Sequence, residues 1–322
     1  MGDGKSLYVG IDLGGTNIQA GVMGPDQSVL ARHKTKTKAD KGTEAVLDRI
    51  AKAVTDLLDE ADLSASDVGG LGIGAPGAID VASGVVLNAV NLRWRDVELA
   101  KELGRRLDLP VTVDNDVNVG TWGEQQLGAG RDFDDVMGVF VGTGIGAGIV
   151  LDGRLYHGHF RTAGEIGHTV LSADAPLGRR TLEDLASRTA IVRQLTQLIR
   201  SNHPSCLPEL VEGDLRKIRS RVLAEAVRQK DALTLEVIEQ AAKYVGTAIA
   251  NAVTLLSLPC VVLGGGLTEA LGRTWVDLVR TAFSEHVFPW ELRECTIVPS
   301  ELEDDAGVLG AALLAREANQ GK

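Results

Sequence analysis

The stretch GIDLGGTNIQAGV (residues 10–22) decides the fold. A mostly apolar run, 7–13, closes on Gly14-Gly15, and a second resumes at 18–23, which reads as strand, tight glycine turn, strand. The segment MGVFVGTGIGAGIVL (137–151) has the same form. A shift of 127 residues lays GTNIQAG (15–21) on GTGIGAG (142–148) with five of seven positions identical. The sequence therefore predicts a duplicated domain that opens each time on such a hairpin.

Working outward, 44–58 places Leu47, Ile50, Val54, Leu57 and Leu58 on one helical face. The strand LGIGAP follows, and Pro110 to Val113 form a short strand leading into Asp114-Asn115-Asp116. In the second half, 234–257 has apolar helical periodicity and runs into the buried-strand pattern CVVL and then Gly264-Gly265-Gly266. Strands alternating with helices in both halves predict an α/β protein of two lobes with mixed sheets, residues 1–119 and 120–302, and an active-site cleft between them. A C-terminal helix at about 303–320 is expected to pack back on the first lobe. Residues 201–230 read as surface helices and loops without chemistry.

The 322-residue chain carries 33 Lys and Arg against 44 Asp and Glu, a formal net charge of −11. Such a field repels phosphate backbones and anionic membranes, so neither nucleic acid nor membrane is an expected partner. Cys206, Cys260 and Cys295 form neither a disulfide framework nor a CxxC metal pair. With no signal-peptide pattern and no run of 18 apolar residues, a reducing cytoplasm is the expected location. Glycine is in excess: 38 residues, about 12%, against an ordinary ~7%. Gly10, Gly14, Gly15, Gly72, Gly74, Gly77 and the glycines of 142–148, 158–167 and 264–266 account for the excess. They are expected to bring backbone close to bound ligand.

Asp12-Leu13-Gly14-Gly15-Thr16 sets a carboxylate at a strand end before two residues without Cβ, so backbone N–H groups can approach an anion. The alternative is a tight hairpin with Asp12 as a turn residue. Gly142-Thr143-Gly144 offers a second cradle, and two cradles suit a polyphosphate-bearing ligand with Mg2+ on Asp12, directly or through water. Neither is a Walker or dinucleotide fingerprint. Asp114-Asn115-Asp116 reads as an Asx turn or as catalytic groups on a loop after a strand. Glu165 and His168, three residues apart, could bind neighbouring sugar hydroxyls or be surface groups. His157 and His159 read as loop residues, and Glu183 as an acidic group at a helix start. Lys34, Lys36 and Lys38 on one face of a strand read as edge protection ahead of an anion patch.

Seven ordered segments, from GIDLGGTNIQAGV through GIGAPGAID, NLRW, VDNDVN, GVFVGTGIGAGIV and AGEIGH to VVLGGGL, resemble the ROK family of sugar kinases. The resemblance implies two ribonuclease-H-like, actin-like ATPase lobes and ATP-dependent phosphorylation of glucose. It implies Asp116 as general base and a sugar pocket of Gly74, Pro76, Asn91, Leu92, Asn115, Asp116, Glu165, His168 and Glu183. Its implied phosphate and nucleotide residues are Asp12, Gly14, Gly15, Thr16, Asn17, Gly142, Thr143, Gly144, Gly264, Gly265 and Gly266. Family zinc sites use a cysteine motif after the His of ExGH. Here that stretch is SADAPLGRRTLEDL (172–185), with no cysteine, so no structural zinc is expected and another group must orient His168. Some similar kinases without the motif use polyphosphate as well as ATP, which leaves the donor open between the two. Mannose, fructose and N-acetylhexosamines stay open as acceptors. A homodimer is implied. Sugar-responsive repressors of the family carry an N-terminal helix-turn-helix, for which the six or so residues before the first strand leave no room, so a regulator is disfavoured.

Overall fold

The computed structural model describes residues 6–321. Elements run β1 (Leu7–Leu13), β2 (Asn17–Met23), β3 (Val29–Lys36), α1 (Thr43–Glu60), β4 (Val68–Ala75), β5 (Ala78–Asp80), β6 (Val85–Ala89), β7 (Trp94–Val97), α2 (Leu99–Leu107), β8 (Val111–Asn115) and α3 (Asp116–Gln126). They continue β9 (Val136–Val141), β10 (Ile145–Leu151), β11 (Arg154–Leu155), α4 (Leu182–Ala186), α5 (Arg188–Arg200), α6 (Leu207–Leu210), α7 (Ser220–Arg228) and α8 (Ala232–Leu256). The chain closes with β12 (Cys260–Gly264), α9 (Gly266–Leu271), α10 (Arg273–His286), β13 (Thr296–Pro299) and α11 (Ala306–Gln320).

Two five-stranded sheets have the orders β3-β2-β1-β4-β8 and β11-β10-β9-β12-β13. Numbered within each sheet, both read 3-2-1-4-5. In the first, β1 pairs antiparallel with β2 and parallel with β4, and β4 is parallel to β8. In the second, β12 is parallel to β9 and β13, and β10 antiparallel to β11. The repeated hairpin is thus the visible part of a repeated sheet order.

The chain divides into two compact units. One takes the residues up to Asp134 with Gly148–Ala163 and those from Asp304 on; the other takes Asp135–Ala147 and Gly164–Glu303. The first therefore includes all of α3, past the residue 119 boundary suggested by sequence, and α11 packs on α3, β1 and β4 within it. Its core includes Val9, Ile11 and Leu13 of β1, Leu71 and Ile73 of β4, and the predicted α1 face of Leu47, Ile50, Val54, Leu57 and Leu58. In the second unit, α8 and α10 lie together, with Gly246 of α8 so close that a Cβ there would stand 2.6 Å from the Val279 carbonyl oxygen.

Part of the glycine excess serves packing between elements and not ligand approach. A Cβ on Gly10 of β1 would overlap the Val308 carbonyl, one on Gly72 of β4 the Ala311 carbonyl, and one on Gly310 of α11 the Val119 carbonyl. These glycines bring no ligand near. They let the small-residue face of α11, including Ala311, Ala312 and Ala315, lie backbone against backbone on sheet and helix, where side chains would hold the elements ~8–10 Å apart. Likewise Gly264 sits under the Phe140 ring, 2.6 Å from it to an added Cβ, and Gly265, at φ +84°, lies against the Val141 backbone.

Lys34 and Lys36 lie on the edge strand β3 and reach across to β2: Lys34 Nζ donates to Gln19 Oε1 (3.0 Å) and Lys36 Nζ to Asn17 Oδ1 (2.9 Å). Cationic side chains along an exposed strand edge discourage further pairing. Burial pushes the Cys260 and Cys295 thiols up to about 12, so neither is a reactive thiolate. Among the described residues no helix is long and apolar enough to cross a membrane.

Candidate active site

In the first unit the ends of three parallel strands form one row. Asp12 of β1 registers with Gly74 of β4, and Gly74 with Asp114 of β8. At ~4.8 Å per strand the Asp12 and Asp114 backbones stand roughly 10 Å apart on the carboxyl edge of the sheet, where α/β sheets bind their ligands. Gly74 is required by close approach: a Cβ there would overlap Val119 and stand 3.2 Å from Asp116 Cα.

No loop separates β8 from α3, in contrast to the loop read from sequence. Asn115 ends the strand and caps the helix, its Oδ1 accepting from Val117 N (2.9 Å) and Asn118 N (3.2 Å), so Asp116 is the first helical residue. Asn115 Nδ2 donates to the Gly77 carbonyl (3.1 Å), and Asp116 Oδ1 accepts from Val117 N (2.9 Å). Asn115 thus spends its amide oxygen on the backbone just after Asp116 and one amide hydrogen on Gly77. Behind it Asp114, 2% exposed, accepts from Asn115 N (2.7 Å) and Asn118 Nδ2 (3.0 Å), with His157 Nε2 2.6 Å from its other oxygen. The sequence leaves Asp114 between a turn and a catalytic role and His157 as a loop residue; the two are 43 residues apart, and no local pattern announces the pair. Asp114→Asn would turn an amide donor toward these donors, so a loss on the order of 2–4 kcal/mol is expected, read as a lowered Tm.

The β1–β2 hairpin is tied by Gly14 N to the Asn17 carbonyl (2.9 Å) and by buried Thr37, whose Oγ1 donates to the Gly14 carbonyl (2.6 Å) and N–H to the Thr16 carbonyl (2.9 Å). No local pattern in the sequence marks Thr37 for this role. With these carbonyls used, the N–H groups of Gly15 and Thr16 donate to no protein acceptor among the described residues. Asn91 adjoins the tip, its Cβ 3.2 Å from a Cβ built on Gly15, while Leu92 and Pro76 are buried beneath the surface.

Burial pushes the Asp12 carboxyl up to about 6; a Gln19 hydrogen bond opposes the rise, Asp304 adds to it and Lys34 lowers it. A cation at these carboxylates would relieve the strain, and hard carboxylate oxygens suit Mg2+. In the unfolded chain the group loses its proton near 3.8, in the folded one near 6, so stability is lost as pH rises through that window. Asp12→Asn should therefore stabilise the metal-free protein at pH 7.5 by on the order of 1–2 kcal/mol, allowing for solvent screening, and change little at pH 4. Thermal melts at the two pH values check this.

In the second unit the β9–β10 hairpin is closed by Gly142 N to the Gly144 carbonyl (2.9 Å). Glu183, the second residue of α4, accepts from Ile145 N through Oε2 (2.8 Å), and a Cβ on Gly144 would overlap that carboxylate. Gly167 lies against the Ile145 carbonyl, and the turn Ile166–His168 packs on α4. Glu165, His168, Glu183 and the hairpin are therefore one cluster around Ile145. His168 and Glu165 are half or more exposed, with Nε2 3.9 Å from Glu165 Oε2, beyond hydrogen-bond reach. The stretch 172–185 is held by protein bonds: Leu171 N to the Arg180 carbonyl (2.9 Å), Arg180 Nε to the Ala175 carbonyl (2.5 Å), and a Thr181–Asp184 capping box. Gly264 registers with Phe140, so the Gly264-Gly265-Gly266 turn leaves the same strand edge as the hairpin; an added Cβ on Gly266 would lie 3.7 Å from Ser220 Oγ.

The ROK family model matches residues 8–318. The chain belongs to the ROK family. A ROK family glucokinase from Streptomyces griseus, solved in complex with glucose and AMPPNP, matches with a TM-score of 0.87 and 32% identity over 97% of this chain and 99% of that one. The glucokinase of Thermotoga maritima is 32% identical, over 97% of this chain and 98% of its own length. A xylose repressor of Caldicellulosiruptor bescii is 28% identical over 94% of this chain and 76% of its own length. The repeated 3-2-1-4-5 sheets are those of ribonuclease-H-like, actin-like ATPase lobes, as in other ROK proteins.

Proposed function

We propose that this ROK protein is an ATP-dependent hexokinase that phosphorylates glucose at O6, with Asp116 as the general base. Full-length similarity to glucokinases supports a sugar kinase. The observation that carries the mechanism is the strand-end row in which Asp12, the turn after it and the Asp114–Asp116 segment share one sheet edge.

A sugar hydroxyl is a weak nucleophile at neutral pH. Asp116, fixed as the first residue of α3, accepts the O6 proton as the O6–Pγ bond forms and the bond from Pγ to the β,γ-bridging oxygen breaks, releasing ADP. The N–H groups of Gly15, Thr16, Thr143 and Gly144 offer donors to phosphate oxygens, while Gly264 to Gly266 border the nucleotide. Mg2+, held by Asp12 directly or through water, supplies charge neutralisation on the phosphates when bound. Asn91, Asn115, Glu165, His168 and Glu183 take sugar hydroxyls, with Gly74, Pro76 and Leu92 shaping the pocket. A site built on hydroxyl hydrogen bonds rejects sugars that leave its polar groups unpaired.

A coupled assay crossing ATP and polyphosphate with glucose, mannose, fructose and N-acetylglucosamine tests the reading. The highest kcat/KM is expected for ATP with glucose. Sugar phosphate from no pair would overturn it.

A further inference from the structure

Arg188 lies outside every motif quoted above. It opens α5 after the N-cap Ser187 and folds onto the β9–β10 hairpin, 45 residues earlier in the chain. Its backbone N–H donates to the Gly142 carbonyl (3.0 Å), its Nη2 donates to Thr143 Oγ1 (2.6 Å), and Thr189 Oγ1 donates to the Thr143 carbonyl (2.7 Å). The hairpin tip is thus stapled beneath a guanidinium. Since the Thr143 hydroxyl accepts from Arg188, its own proton points elsewhere. The N–H groups of Thr143 and Gly144 donate to no protein acceptor, and a Cβ on Gly142 would meet nothing within 4 Å, among the described residues.

The charge balance at this place is unusual for an acidic chain. Arg106 sits among Glu44, Asp48 and Glu102, and Arg32 holds Asp305. Arg188 and Arg219 have no carboxylate oxygen within 4 Å among the described residues; Arg219 Nη1 donates instead to the Arg216 and Ile218 carbonyls (2.7 and 2.9 Å). Burial, and then the charge of Arg219, hold the Arg188 guanidinium below its ordinary range. A partly buried cation facing a like charge lacks an anion, which an open cradle of N–H donors is shaped to hold.

We propose that Arg188 binds the phosphoric-anhydride chain of the phosphoryl donor at the Gly142–Gly144 hairpin, with Arg219 as a second cation along that chain. The proposal rests on the kinase reading and adds a donor-binding residue to it. The ligand chemistry is a condensed phosphate, whose source is ATP or inorganic polyphosphate. A guanidinium fork makes short, charge-assisted bonds to phosphate oxygens.

The test titrates tripolyphosphate, which has neither base nor ribose, into the full chain and into Arg188→Ala, Arg188→Lys, Arg188→Gln and Arg219→Ala by calorimetry. It then measures KM for ATP, polyphosphate and glucose. Arg188→Ala should weaken tripolyphosphate binding about tenfold or more, Arg188→Lys should restore most of it, and Arg219→Ala should cost roughly threefold. Donor KM should rise in parallel while glucose KM stays constant, and the donor whose KM rises more is the one the pair serves. Arg188→Gln can still donate to Thr143 Oγ1 without charge. If Gln restores binding as well as Lys does, the residue merely props the hairpin and the proposal fails. It fails too if wild-type protein does not bind tripolyphosphate or if Arg188→Ala binds it normally. Arg188-dependent binding in a wild type that makes no sugar phosphate would retain the anion site and overturn the kinase reading instead.

Discussion

Asp116→Asn is expected to lower turnover by a factor of roughly 100 to 10,000, with KM for glucose changed less than about threefold. The substitution keeps the shape of the side chain, and an amide oxygen can still accept from Val117 N, the 2.9 Å bond that Asp116 Oδ1 makes. The helix start is set by Asn115 and Asp114 and does not depend on the charge at 116. On the proposed mechanism, what is removed is the basic oxygen that takes the hydroxyl proton while phosphoryl transfer proceeds, a contribution made only in the transition state. A loss in kcat and kcat/KM together, at constant KM, is the signature. Near-normal turnover would take Asp116 out of the mechanism.

The second large effect is structural. Gly72→Ala should lower stability by about 3 kcal/mol or more and shift the melting transition by several degrees. A methyl at Gly72 would occupy the position of the Ala311 carbonyl, and because atoms of the α11 backbone are involved no side-chain rotation relieves the overlap. The helix must lift from β4, withdrawing Val308, Leu309, Ala312 and Leu313 from the core. Gly10→Ala and Gly310→Ala press on the same seat and should behave alike. Since Gly307 of α11 lies 3.0 Å, at its would-be Cβ, from Asp12 Cβ, turnover should fall along with stability. A variant with wild-type Tm would show that the helix is not seated through these glycines.

The duplicated hairpin was legible because five identical positions at a fixed shift report a local backbone shape, and the shared sheet order follows it. The predicted α1 face is buried because its 3.6-residue period is a local property too. The glycines divided differently. Gly14, Gly15 and Gly142 sit in the hairpin turns, whereas Gly10 and Gly72 serve a helix more than 200 residues away in sequence, which composition cannot distinguish from ligand approach. Asp114 with His157, and Arg188 with Thr143, were missed for the same reason: each pair is joined by the topology and not by spacing. Asp114-Asn115-Asp116 was misplaced on a loop because an Asx turn and a helix N-cap use the same residues, and the one after a strand here is the cap.

Transfer of the ATP γ-phosphoryl group to O6 of glucose is tested by phosphorus and carbon NMR of the products. Glucose 6-phosphate and ADP are expected in equal amounts, with ATP consumption dependent on glucose. Phosphate on another carbon, or ATP hydrolysis to inorganic phosphate that ignores glucose, would contradict it.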